Sequence, residues 1–65
     1  MSANADEKWD KAEKTIRLNL ETKHPGKKIT IVRWRADVCF SVLMEGKALG
    51  KIRLGNVDAD LAKIA

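Results

Sequence analysis

At 65 residues the chain is close to the size at which a single core is only marginally stable, so self-association would come as no surprise. Hydrophobic residues at 45% and charged residues at 34% exclude a disordered or fibrous chain, and no apolar run approaches the ~20 residues of a membrane span. The net charge of +4 favours anionic partners, either nucleic acid or an acidic protein surface.

The first predicted element is a helix over residues 4–23. Asn4 and Glu7 have the spacing of a capping box. Asp6 and Glu7 at the start and Lys23 and His24 at the end complement the helix dipole. Glu7 with Lys11, Asp10 with Lys14 and Glu13 with Arg17 form acid-first pairs four residues apart, each worth about 0.3–0.5 kcal/mol, which marks a solvated face. Ala5, Trp9, Ala12, Ile16 and Leu20 fall on one narrow stripe suited to lying on a sheet, with Trp9 as its anchor and Leu18 projecting nearly opposite. Pro25 and Gly26 end the helix near Lys23.

Lys28 to Leu54 holds most of the large apolar side chains, in β-branched, aromatic and often alternating runs that predict an antiparallel sheet. Glu45-Gly46-Lys47 is the clearest turn. As a three-residue loop it pairs Met44 with Ala48, Val42 with Gly50, Phe40 with Ile52 and Val38 with Leu54, which keeps one row apolar and leaves Cys39, Ser41, Leu43, Leu49, Lys51 and Arg53 on the other face. A two-residue Gly46-Lys47 loop mixes charge into the apolar row and is disfavoured. A turn at Arg35-Ala36-Asp37 pairs Trp34 with Val38 and Val32 with Phe40 inside, and places Ile31 and Arg33 outside, although neither Gly nor Asn is present to supply a positive φ. Without that turn, residues 28–45 form one long bent strand and the sheet needs a partner chain to complete it. Beyond Gly55, Asn56 or Asp58 caps a short closing helix with Val57, Leu61 and Ile64 on one face.

The order helix, three strands, helix resembles that of the double-stranded-RNA-binding domain over nearly the whole chain. The resemblance is one of order. Where that family's second helix opens with a lysine cluster, this one opens with Asp58 and Asp60, and His24 precedes the sheet rather than lying between its first two strands.

One cysteine, Cys39, excludes an internal disulfide, and one histidine, His24, leaves no set of zinc ligands, so no metal or cofactor is implied. Cys39 with His24 is the sole nucleophile-and-base combination, and no phosphate loop or nucleophile elbow is present, so an enzyme is not expected. The N-terminus, carrying Asp6, Glu7 and Asp10 without an apolar segment, reads as neither a secretion signal nor a transit peptide, which makes a cytoplasmic domain spanning residues 1–65 the expectation. Fold class is α+β, in the order α-β-β-β-α, with a three-stranded antiparallel sheet packed on one face by both helices. Function is expected on the other face. Arg33, Arg35, Lys51 and Arg53, extended by Lys27 and Lys28, suit phosphate oxygens or base edges of nucleic acid. Ile31, Leu43 and Leu49 among those cations support the alternative, a protein-interaction module acting as an adaptor or inhibitor, with a homodimer through the same face or an edge strand as one form of it.

Overall fold

A computed structural model describes residues 3–64 of the chain, with side chains from residue 6 onward. The elements run α1 (Ala3–Lys23), β1 (Ile29–Trp34), β2 (Cys39–Met44), β3 (Lys47–Arg53), a 3-10 turn (Leu54–Asn56) and α2 (Val57–Ile64). The fold is α-β-β-β-α, with the strands antiparallel in the order β1-β2-β3. Residues 28–45 therefore form two strands and a turn. The side chains of Asn4 and Ala5, and with them the capping box and the first position of the stripe, lie outside the described residues.

The rest of the stripe packs as its spacing requires. Trp9, Ile16 and Leu20 are buried and Ala12 packs against them. The Trp9 ring meets Phe40 of the central strand edge-on, with centroids 4.9 Å apart, a favoured aromatic geometry that fixes α1 across the sheet. Ile29, Val42 and Ile52 complete the sheet's contribution, and Leu61, with Val57 and Ile64 beside it, brings α2 into the same core. Both helices thus share one face. Of the acid-first pairs, Glu13 with Arg17 forms at 3.9 Å. Asp10 instead turns toward the sheet.

The β2–β3 connection is tighter than the expected three-residue loop. Met44 pairs with Lys47 across a two-residue turn, Glu45-Gly46, with φ of 54° and 80°, the left-handed pair that a primed hairpin turn demands. Glu45 tolerates this while its carboxylate accepts the Lys28 backbone N–H at 3.0 Å. The register then steps by one between Val42 and Leu43, making Leu49 an additional residue on β3 and restoring Val42 opposite Gly50 and Phe40 opposite Ile52 as expected. Tight turn and bulge compensate each other. Leu49, expected on the outer face, consequently packs against the core.

The β1–β2 connection departs further. Four residues, Arg35–Val38, form the turn, so Trp34 pairs with Cys39, Val32 with Ser41 and Ile31 with Val42. That is one residue away from the expected register, and a one-residue slip exchanges the faces of a strand. Ile29, Ile31 and Arg33 turn toward the helices, and Thr30, Val32 and Trp34 turn away. The placements of Ile31 and Arg33 outside and of Val32 and Trp34 inside are both corrected: Ile31 packs against the core, whereas Trp34 is 51% exposed.

Candidate interaction surface

The sheet face opposite the helices follows from the register. Its rows are Thr30, Leu43 and Ala48; Val32, Ser41 and Lys51; and Trp34, Cys39 and Arg53. Among the described residues no helix covers it. Of the large apolar side chains left exposed, Val32 and Trp34 lie on this face and Val38 in the turn at its end, while Leu18 stands alone on the far side of α1. Leu43, on the central strand in the end row with Thr30 and Ala48, is half-buried, and Cys39, between Trp34 and Arg53 in the register, is buried.

The arginines expected to make this face basic are largely engaged elsewhere. Arg33 lies on the helix side, where its Nη2 donates to Asp10 at 2.6 Å and its Nε to Glu13 at 2.8 Å. These carboxylates, Asp10 foremost, hold its pKa above the ordinary guanidinium value. Arg35 turns back over the Trp9 ring, 5.4 Å from its centroid, and sits 3.5 Å from Asp6, a cation held by both an aromatic face and a carboxylate. Arg53 starts from the outer face, yet its Nε and Nη2 grip Asp60 of α2 at 3.0 and 3.2 Å.

Asp60 is the acceptor around which α2 is latched. Besides the Arg53 guanidinium it takes the Arg53 backbone N–H at 3.0 Å and the Asn56 side-chain amide at 3.1 Å. Asn56 thus serves Asp60 rather than capping the helix. The Arg53 side chain, then its backbone N–H, holds the Asp60 carboxyl well below the usual carboxylate range, against the opposing effect of burial. A buried carboxylate with several donors is fully ionised at neutral pH, so Arg53 brings little net charge to the surface.

Lys51, mid-strand on the outer face, and Lys27 and Lys28 beyond the other end of β1 are exposed and, among the described residues, without ion-pair partners. Lys51 lies two residues from Arg53 on the same face of β3, whereas Lys27 and Lys28 precede β1 beside the Glu45 carboxylate, so the six expected basic residues do not gather into one patch. Of the expected protein-contact residues, Leu43 alone remains on the open face. The surface residues that spacing missed are Val32, Trp34 and Val38. Their signal was the β1 sequence itself, in which Ile29 and Ile31 occupy one phase while Val32 and Trp34 occupy the other.

Cys39 pairs with Trp34 at the far end of β1, whereas His24 lies in the connection before Ile29, so the length of β1 stands between them along the sheet. No group of three or more metal-ligating side chains occurs among the described residues, and no described helix is long and apolar enough to cross a membrane. No protein-family model, curated protein or solved structure matches this chain. What the surface does must therefore be read from its side chains.

Proposed function

We propose that this protein is a non-enzymatic protein-interaction module that associates through the open face of its sheet, with a second copy of the chain as the partner. The observation that carries this reading is the half-exposed Trp34, beside Val32 on a face whose neighbouring arginines are already neutralised by Asp6, Asp10, Glu13 and Asp60. Exposed apolar side chains beside a single unpaired cation, Lys51, fit the mixed composition of a non-obligate interface. The residual charges are complementary: Lys51 on the face and Asp37 in the adjoining turn have no ion-pair partners among the described residues, and an isologous pairing makes each contact twice.

Three strands of six or seven residues offer a face of roughly 14 by 20 Å, about 280 Å² per copy and below the size of a standard stable interface, which makes the association a weak, transient one with a dissociation constant on the order of 100 μM. Sedimentation equilibrium of the full chain from ~10 μM to ~1 mM brackets that value. Wild type is expected to move from 7.3 kDa toward twice that mass, and Trp34→Ala and Val32→Asp to remain monomeric. A single monomer mass for wild type across the range rejects self-association.

Nucleic acid is retained as a second reading on one observation: none of the chain's nine carboxylates lies on a strand, while Lys51 and Arg53 do. A single strand could stack a base on Trp34 with its phosphates near those cations. Labelled single-stranded and duplex probes decide between the two. Binding that weakens steeply from ~50 to ~200 mM salt supports nucleic acid, and no binding at the lower salt eliminates it.

A further inference from the structure

Val38 closes the turn between β1 and β2 with φ of 52°. A β-branched residue is poorly suited to that left-handed conformation, which glycine and asparagine adopt at little cost. The backbone has no freedom to escape it. The Val38 N–H donates to the Arg35 carbonyl at 3.2 Å, and the Val38 carbonyl accepts the Leu54 N–H at 3.0 Å, tying the turn to the end of β3.

The side chain adds nothing to the core in return. Val38 is 51% exposed and is not among the residues packed on the core. Glu45, the other non-glycine residue with positive φ among the described residues, makes the contrast: its side chain accepts the Lys28 N–H and so helps close its own turn. At Val38 an apolar side chain is held out in water at a cost in backbone strain. Strain of this kind points toward function when the surrounding structure enforces it, and Val38 flanks the same turn as Trp34, whose exposure it matches.

We propose that Val38 is a contact residue of the self-association surface, its left-handed backbone presenting an apolar side chain that a second copy of this chain covers. The proposal rests on the open-face reading and adds to it a residue outside the sheet, at the turn that also carries the unpaired Asp37. In this arrangement the turn of one copy, with Val38 and Asp37, packs on the open face of the other near Lys51. The pairing then covers the exposed valine and gives Lys51 and Asp37 each a partner.

Two substitutions separate strain from contact. Val38→Asn suits the left-handed backbone and removes the apolar group; Val38→Ile keeps the strain and enlarges the group. Thermal midpoints are measured on dilute monomer and dissociation constants by sedimentation equilibrium of the full chain. Val38→Asn is expected to raise the midpoint by about 5 °C while weakening association about twenty-fold, since apolar burial is lost once per copy. Val38→Ile leaves the midpoint unchanged and tightens association.

A raised midpoint with an unaltered dissociation constant shows that Val38 touches no partner and overturns the proposal. So does a midpoint that fails to rise, which removes the strain from which the contact was inferred. Failure of the proposal alone gives a dimer that Trp34→Ala dissolves and Val38→Asn leaves intact. Failure of the open-face reading gives a monomeric wild type, and the proposal falls with it.

Discussion

Arg33 and Asp60 show how single ionic side chains set the character of a whole face. Arg33 spans Asp10 and Glu13, one turn apart on α1, and so ties β1 to the long helix. Its removal from the outer face comes with a structural role: Arg33→Met is expected to lower the thermal midpoint by a few degrees while leaving the dissociation constant of the dimer unchanged, a separation that calorimetry and sedimentation on one sample will display. Asp60 carries a pH signature. Its folded pKa is depressed, chiefly by the Arg53 side chain, so its contribution to stability is complete above the unfolded carboxylate value of about 3.9 and is lost as pH falls below that value toward the folded one. Urea titrations from pH 7 to pH 3 should show stability declining at the acid end in wild type, with a shallower decline in Asp60→Asn, whose amide neither titrates nor forms the ion pair. Equal acid slopes in the two proteins would mean that other carboxylates account for the decline.

Packing between elements is tightest where α2 crosses β3. A Cβ built on Gly50 would lie 2.8 Å from Ile64 Cγ2, and Gly50 also has φ of 153°. Gly50→Ala should therefore cost about 1–3 kcal/mol by forcing α2 outward, and Ile64→Ala in the same chain should recover part of that loss in a double-mutant cycle by urea unfolding. Additive losses would place the strain in the backbone alone. The same strand pairing separates what the residues reveal by pattern from what they conceal. The α1 stripe through Trp9, Ile16 and Leu20, the pairs Val42 with Gly50 and Phe40 with Ile52, and the face of α2 all follow from periodicity, because each has its large apolar residues mainly on one phase. β1 is apolar on both phases, Ile29 and Ile31 against Val32 and Trp34, so alternation cannot choose its register. The turn decides it, and a four-residue turn closed by a left-handed valine has no compositional signal. Asp10 and Glu13, three apart on α1, were the available hint that an arginine belonged inside.

For the molecule as a whole, the same register moves Arg33 off a face expected to be basic and brings Val32 and Trp34 onto it, while Asp60 engages Arg53 and Lys51 stays unpaired among the described residues. Net charge did not reveal this, since +4 counts side chains without saying which carboxylate each arginine reaches. A small domain with one modest core has stability to gain from covering such a face. Because the proposed association engages the folded chain and not the unfolded one, it should raise the unfolding midpoint by mass action. For a domain of this size the shift should be about 3–5 °C for each tenfold rise in concentration above the dissociation constant. Val32→Asp should abolish the concentration dependence while leaving the dilute midpoint close to that of wild type, because Val32 lies outside the core. Salt supplies the second axis. Contacts among Val32, Trp34 and Val38 displace no counterions and only the exposed Lys51–Asp37 pairs are screened, so the concentration dependence should weaken modestly but persist from ~50 to ~500 mM salt, whereas any stabilisation by an added oligonucleotide would fade over that range. A midpoint independent of concentration at both salts would leave the exposed Trp34 without a second copy to cover it.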